Sequence, residues 1–170
     1  MSRVTIVEVA PRDGFQAVKA VIPTPRKIEI TEALGACGFE RLEVGAFVSP
    51  KALPQMADTA EVLASARLPA GARIQALVPN SRGLSAATAA GVEEICWVVS
   101  VSESHNQSNV RRSVADSFTD FEQAWAGHAN RLFLRFNLAT CFDCPFEGRT
   151  PEEKVIAAVE RIVANVSRVE

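Results

Sequence analysis

Short apolar runs alternate with helical patterns along the chain. The runs fall at residues 4–9, 39–44, 74–78, 94–101 and 131–139, and their length and β-branched or aromatic content are typical of buried strands. The stretches between them carry apolar residues at helical spacing and are bounded by Ser, Thr, Pro or Gly. This alternation predicts an α/β fold of parallel βα units. An open doubly wound sheet and a partial eight-stranded barrel both fit the pattern.

The first apolar run leads directly into a charged turn. Residues 4–9 are apolar enough to predict a parallel strand that is covered on both faces. Pro11 and Gly14 then interrupt the strand, and Arg12 and Asp13 lie between them. Loops at the carboxyl ends of parallel strands present catalytic groups in α/β enzymes. A surface Arg-Asp turn without a catalytic role would give the same spacing. A catalytic role and a purely structural role for these two residues therefore both remain open at this point.

Polar side chains follow the other predicted strands as well. Gln16 lies in the first loop. The polar residues that follow the later strands are, in chain order, Glu43, Asn80, Ser102, Glu103 and Cys141. A long loop at residues 46–57 follows the second strand, and loops of that length are usually functional. Because the carboxyl ends of parallel strands share one edge of a sheet, we expect these groups to converge. Carboxylates and an arginine together suit a hard divalent cation and a developing enolate or carboxylate.

Helix signals are clearest at three places. Thr24 followed by proline predicts an N-cap, as does Thr150 near the start of the last helix. Ser113 with Asp116 predicts a capping box, and residues 102–112 are interpreted as a polar loop. The helix after Ser113 carries aromatic residues at helical spacing that we assign to the core, namely Phe118, Phe121 and Trp125.

Composition restricts the class of partner. The chain has 170 residues, 48% of them hydrophobic, which predicts one domain over residues 1–170. With 18 basic and 20 acidic residues the net charge is -2, so there is no basic field for nucleic acid or an anionic membrane. No apolar run approaches the roughly 18 residues of a spanning helix, and we expect a cytoplasmic protein. A small molecule or another protein is the expected partner.

Several common motifs are missing or incomplete. No Gly-rich phosphate loop follows a strand. His105 and His128 lack the spacing of a metal site, and we interpret His128 as a cation at a helix end. Cys141 and Cys144 have the spacing of half a zinc site or of a redox dithiol, but a role in packing their loop is preferred. We expect the thiols to be reduced.

Several loop motifs, in order, resemble those of the 3-hydroxy-3-methylglutaryl-CoA lyase family over essentially the whole chain. The Arg-Asp-Gly-x-Gln piece alone is shared with 2-isopropylmalate synthases and biotin-dependent carboxyltransferases. The motifs are Val-Glu-Val-Ala-Pro-Arg12-Asp13-Gly14-Phe-Gln16, Glu43 with Phe47-Val48-Ser49-Pro50-Lys51 and Pro54-Gln55-Met56, Val78-Pro79-Asn80, Ser102-Glu103, and Cys141-x-x-Cys144-Pro145-Phe146-Glu147-Gly148.

The resemblance implies a TIM-barrel metallolyase that splits 3-hydroxy-3-methylglutaryl-CoA, or a similar 3-hydroxyacyl-CoA, into acetyl-CoA and acetoacetate. It implies Mg2+ or Mn2+ as the cofactor and a place in leucine degradation and ketone-body formation. By this resemblance Asp13 binds the metal, Arg12 stabilises the enolate of the departing acetyl-CoA and Glu43 supports the site. The residues expected to bind substrate are Gln16, Asn80, Ser102 and Glu103.

The sequence also departs from the family pattern. Ala17-Val18 stands where the family has Asn-Glu, and Gly45-Ala46 where it has Thr-Ser. The family's His-x-His metal ligands, a further asparagine ligand and a catalytic cysteine belong to the last three barrel units, which lie beyond this chain. We therefore expect five of the eight βα units, in a truncated longer protein or in a homo-oligomer.

Two alternatives from other classes remain at this stage. One is a non-catalytic half-barrel that binds a small acid or a partner protein. The other is a relative that forms a carbon-carbon bond on a 2-oxo acid.

Overall fold

The computed structural model describes residues 4–128 and 131–166. The chain forms two compact units, residues 1–78 with 82–95 and residues 79–81 with 96–170. The main sheet has the sequential strand order β1-β2-β3-β4-β5, as expected for consecutive βα units. Its strands are β1 at Val7–Glu8, β2 at Arg41–Ala46, β3 at Arg73–Val78, β4 at Glu94–Ser100 and β5 at Phe133–Ala139.

The first unit packs helices against the opening strands. Its helices are α1 at Thr24–Ala36, α2 at Thr59–Ser65 and α3 at Ser81–Ala89, of which α3 begins at the division between units. The β1–β2 and β2–β3 pairs are parallel. One core cluster joins Leu42 and Val44 of β2 to Val62 of α2. The alternating apolar residues of β2 therefore meet the apolar stripe of the helix that follows it.

A bulge in β2 shapes the end of that strand. The pairing with β3 shifts register between Glu43 and Gly45. A Cβ at Gly45 would lie 2.5 Å from both Cγ2 and Oγ1 of Thr59, so the close approach of α2 requires glycine there. The Thr59 hydroxyl donates to the carbonyl of Met56 at 2.9 Å and meets the main chain of Ala46 at 3.3 Å. Gly45 is therefore a packing position against α2.

The second unit is built around aromatic residues. It contains α4 at Glu103–Val110, α5 at Val114–Trp125, the strands β6 at Asp143–Cys144 and β7 at Gly148–Arg149, and α6 at Glu152–Val163. The Phe121 ring packs edge-on against Trp97 at 5.4 Å and against Phe136 at 4.9 Å. Phe118, Phe121 and Trp125 are all buried, which confirms their assignment to the core. The Asp116 amide donates to Ser113 Oγ at 3.0 Å, as predicted for an N-cap.

The first strand differs from its prediction. It covers Val7–Glu8 instead of residues 4–9, and residues 10–14 form a π-helical turn. The prediction that the run is covered on both faces is wrong, because Val4 is 84% exposed and Ile6 66% exposed. The reason is that β1 is an edge strand whose partner in the sheet is β2. β-branched content alone does not distinguish an edge strand from a central one.

Two predicted loops contain regular structure. Residues 102–112 include the helix α4, which the sequence did not reveal because its residues carry no apolar stripe. Residues 141–149 include the antiparallel pair β6–β7.

Two predicted N-caps are shifted by one residue. Pro23 and Pro151 occupy the N-cap positions of α1 and α6. The hydroxyls of Thr24 and Thr150 instead donate to Asp58 Oδ2 at 2.8 Å and to the carbonyl of Thr140 at 2.6 Å. No helix in the described part of the chain is long and apolar enough to cross a membrane.

Candidate active site

Arg12 is the centre of a charged cluster in the first unit. Its Nε donates to Glu43 Oε1 at 2.6 Å, and its Nη1 donates to Asp13 Oδ1 at 2.6 Å. The side chain of Arg12 is 14% exposed, that of Glu43 1% and that of Asp13 61%. The two bonds use two of the five N–H groups of the guanidinium. The structure therefore brings three of the predicted site residues together in one grouping of alternating charge.

The π-helical turn sets the direction of Arg12 and Asp13. The amides of both residues donate to the carbonyl of Val9, at 3.0 Å and 2.7 Å respectively. Glu8 Oε1 accepts from the amide of Ala10 at 2.7 Å, which satisfies a donor at the start of the turn. Pro11 is buried beneath it. Single π-turns are often found at functional sites.

Glu43 is a buried carboxylate with a charged partner. It lies on β2 at the register shift with β3, a place where bulges commonly redirect a side chain. A buried carboxylate is costly unless it is paired and hydrogen-bonded, and the ion pair with Arg12 provides both. The pair therefore fixes the guanidinium against a rigid strand.

Gln16 lies on the exposed side of the same turn, one residue after the buried Phe15. Phe15 packs with Ala46 and Met56 in a second core cluster. This anchor holds the loop that carries Arg12, Asp13 and Gln16 against the loop after β2.

Ser102 and Glu103 have structural partners in the second unit. Ser102 Oγ accepts from the amide of His105 at 3.1 Å as the N-cap of α4, and it lies 2.9 Å from Cys144 Sγ. Glu103 Oε2 accepts from the amide of Val114 at 3.0 Å at the start of α5. Each of these predicted substrate ligands therefore already binds an amide at the start of a helix, Ser102 at α4 and Glu103 at α5.

Asn80, the remaining predicted substrate ligand, is half-buried in the short segment that precedes α3. Because the second unit contains Asn80, Ser102 and Glu103 while the first contains the Arg12 cluster, the role of these three residues in substrate binding stays a prediction.

Cys141 and Cys144 are in different environments. Burial alone raises the pKa of Cys144, but hydrogen bonds from Ser102 and from the amides of Phe146 and Glu147 outweigh it, so the pKa lies below the ordinary thiol value. Burial raises the pKa of Cys141, whose Sγ donates to the carbonyl of Leu138 at 3.0 Å. Both cysteines are free thiols, and their contacts agree with a role in packing the loop.

The described residues offer few side chains that could bind a metal ion. Across residues 4–128 and 131–166, no group of three or more His, Cys, Asp or Glu side chains is placed to hold an ion. Asp13 offers an exposed carboxylate, the type of ligand that Mg2+ prefers, but Oδ1 is already paired with Arg12. The described residues therefore do not form a complete metal site.

One functional candidate was missed at the sequence level. Gln55 is buried in the loop after β2, and its side-chain amide binds the main chain of residues 18, 20 and 22. The only indication in the sequence was its position between Pro54 and Met56 in a long loop. Hydrophobic periodicity cannot identify a residue whose partners lie in a distant loop.

The chain is similar to known proteins over most of its length. The HMGL-like family model matches residues 3–169. The cytoplasmic 3-hydroxy-3-methylglutaryl-CoA lyase of Rattus norvegicus is 40% identical over 161 residues, which are 94% of this chain and 47% of that protein. The (R)-citramalyl-CoA lyase of Chloroflexus aurantiacus is 37% identical over 175 residues, with 96% and 55% covered. The chain spans about half the length of the curated relatives it matches.

Solved structures show the same similarity. An HMG-CoA lyase from Acinetobacter baumannii, in complex with coenzyme A and 3-methylmalate, matches with a TM-score of 0.91 and 36% identity, covering 94% of this chain and 52% of that one. The Bacillus subtilis HMG-CoA lyase matches with a TM-score of 0.91 and 37% identity, covering 98% and 56%. The predicted fold, parallel βα units of a partial TIM barrel, is confirmed. The chain belongs to the HMGL-like family.

Proposed function

We propose that the protein is a carbon-carbon lyase that cleaves 3-hydroxy-3-methylglutaryl-CoA, or a similar 3-hydroxyacyl-CoA, to acetyl-CoA and a keto product. The observation that carries this proposal is the Arg12–Asp13–Glu43 cluster, which joins the turn after β1 to the middle of β2. The cluster lies in a chain that is 36–40% identical to HMG-CoA lyases over nearly its whole length. Coenzyme A bound to the Acinetobacter baumannii relative supports an acyl-CoA substrate.

The guanidinium of Arg12 is suited to an enolate. Cleavage of the bond between C2 and C3 leaves the electron pair on the thioester fragment, so negative charge grows on the thioester oxygen. A half-buried guanidinium with donors left over can meet that oxygen, and such donors matter most when they are fixed before the reaction. Arg12 is fixed in this sense by Glu43 and Asp13.

Glu43 acts on the reaction through Arg12. The carboxylate is almost completely buried and binds Nε, which leaves for the substrate the outer N–H groups of the guanidinium that do not bind Asp13. Removing the carboxylate would leave the guanidinium bound only to the exposed Asp13 and freer to reorient. Glu43 is therefore proposed as the residue that orients the catalytic arginine.

Asp13 is proposed as one ligand of a Mg2+ or Mn2+ ion in the whole protein. When bound, such an ion would supply charge stabilisation to the substrate hydroxyl as it becomes an alkoxide. The remaining ligands would have to lie outside the described residues, since those residues form no complete site. Isothermal titration of this chain with Mn2+ is expected to show weak binding, and tight one-to-one binding would contradict this assignment.

A second candidate substrate follows from the relatives. An (R)-citramalyl-CoA lyase is 37% identical to this chain, about as similar as the HMG-CoA lyases are. Both names describe CoA esters that carry a hydroxyl and a further carboxylate. The Arg12 cluster suits either ester, because the enolate of the thioester fragment is common to both.

The test is a cleavage assay on the native polypeptide from its source, with both CoA esters and Mg2+ or Mn2+ supplied. We expect release of acetyl-CoA from at least one ester and a loss of about 10²- to 10³-fold in kcat for Arg12→Gln. Arg26→Gln is the matched control, because Arg26 forms an exposed ion pair with Glu29. Absence of cleavage of both esters, or equal kcat for the two variants, would reject the proposal.

A further inference from the structure

Gln55 joins the loop after β2 to the segment that leaves the Arg12 turn. We call residues 17–23 the strap. The Gln55 side chain accepts from the amide of Ile22 at 2.9 Å and donates to the carbonyls of Val18 at 3.2 Å and Ala20 at 3.1 Å. Gln55 is only 5% exposed. One buried amide therefore satisfies three main-chain groups of the strap.

The strap has little apolar packing of its own. Six of its seven residues are exposed, including the apolar Val18 at 44% and Val21 at 64%. Ile22 is the member that packs against the cluster of Phe15 and Met56. Since hydrophobic burial contributes little along residues 17–21, the three bonds to Gln55 are the main restraint that the described contacts provide there.

The position of Gln55 is itself fixed by a buried ion pair. Lys27, which is 3% exposed, donates from Nζ to the main-chain carbonyl of Gln55 and to Asp58 Oδ1 at 2.6 Å. Thr24 donates to the other oxygen of Asp58 at 2.8 Å. The start of α1 therefore holds the turn that carries Gln55, so the amide is presented on a rigid support.

The strap is in turn continuous with the Arg12 turn. The amide of Ala17 donates to the carbonyl of Gly14 at 3.2 Å, and that of Val18 to Phe15 at 3.0 Å. A displacement of the strap would therefore be transmitted over about one helical turn to Arg12 and Asp13. Displacements of about 1 Å at a catalytic group can reduce rates by about 10²-fold.

We propose that Gln55 is a positioning residue for the lyase reaction, which holds the strap in place and thereby keeps the turn that carries Arg12 in the position that Glu43 requires. The inference rests on the proposed function. Because Arg12 acts on charge that develops during bond cleavage, loss of its orientation lowers kcat while KM changes little.

The experiment compares three variants of the native polypeptide. Gln55→Met removes the three side-chain bonds at similar length, and Gln55→Glu keeps the acceptor but places a carboxylate against two carbonyls. Val62→Ala is the control, since it removes buried apolar volume between α2 and β2 without touching the strap. We expect both Gln55 variants to lower kcat at least about tenfold, with KM within about threefold. Val62→Ala should keep kcat within about twofold.

Hydrogen exchange tests the restraint independently of activity. In the wild type the Ile22 amide should exchange slowly, and in Gln55→Met at least about tenfold faster. If the wild type cleaves the ester but Gln55→Met and Val62→Ala have the same kcat, the inference is overturned and the proposed function stands. Absence of cleavage in the wild type would reject the proposed function, and the exchange rates would then decide whether Gln55 restrains the strap. Unchanged protection of Ile22 would overturn the inference in either case.

Discussion

A buried polar side chain on β2 and another just after β4 are satisfied by different kinds of partner. In the first unit, Glu43 is buried and its partner is the charged Arg12. In the second unit, the buried Ser102 is neutral, and it bonds the amide of His105 and the thiol of Cys144. A buried ion pair often adds no more stability than apolar residues of similar volume, but removal of one partner is costly. The second site therefore holds the start of α4 and the loop that carries Cys144, while the first joins the turn after β1 to β2, where the proposed function places the chemistry.

The largest expected effect comes from breaking the ion pair. Glu43→Ala removes the buried carboxylate that binds Arg12 Nε and leaves only the exposed Asp13 as a partner, so it should lower the free energy of unfolding by about 3 kcal/mol. Urea unfolding followed by circular dichroism measures this loss. The control is Glu29→Ala, whose ion pair with Arg26 is more than half exposed and should cost at most about 1 kcal/mol. Equal losses would show that the Glu43 pair is no different from a surface pair.

Substitution at the bulge in β2 should have the next largest effect on stability. Gly45→Ala places a Cβ against Thr59 and should cost about 1–3 kcal/mol. The double variant with Thr59→Gly removes both contacting atoms and should lose less than the two single variants combined. A double-mutant cycle in urea measures the coupling. Additive losses would mean that the two positions do not contact each other.

The second site should respond less. Ser102→Ala removes the N-cap of α4 and should cost about 1 kcal/mol, with 2 kcal/mol as the upper end. Ser65→Ala, at an exposed position in the last turn of α2, is the control and should stay within about 0.5 kcal/mol. A loss as large as that of Glu43→Ala would remove the distinction between the two sites.

The smallest effect concerns thiol titration in the second unit. The lowered pKa of Cys144 and the raised pKa of Cys141 predict that Cys144 ionises first. The contribution of Cys144 to stability is present above the unfolded thiol pKa of about 8.5 and is lost as the pH falls through the folded value. That of Cys141 is present below about 8.5 and is lost as the pH rises through its folded value. Thiolate absorbance of Cys144→Ser and Cys141→Ser measures the order, and the reverse order would contradict the assignment.

The order of the elements could be predicted because each strand and most helices carry a clear period. The aromatic face of α5 is the best case, since the spacing of Phe118, Phe121 and Trp125 alone indicated the core. The helix α4 could not be predicted in this way. Its stability comes from the cap at Ser102 and from Asn106, whose side chain bonds the amide of Ser100 and three acceptors between residues 112 and 117. Contacts of this kind cannot be recognised from the hydrophobic periodicity of the helix residues.

The candidate site was predictable to the extent that it follows strand ends. Arg12, Asp13 and Glu43 were found because each lies directly after or at the end of an apolar run, and the structure brings them together. Gln55 was missed because its partners, residues 18–22, lie more than thirty positions earlier in the chain. Exposure was also misjudged at Val4 and Ile6, since composition does not show which strand lies at an edge.

The contact between Gly45 and Thr59 also restricts how this sequence can evolve. Because a Cβ at position 45 would lie 2.5 Å from the side chain of the threonine at position 59, we expect substitutions at the two sites to be epistatic. A lineage that enlarges residue 45 must first accept a smaller residue at 59, and the reverse order of steps passes through a destabilised intermediate. Homologues with a larger residue at position 45 should therefore carry a compensating change at the start of α2.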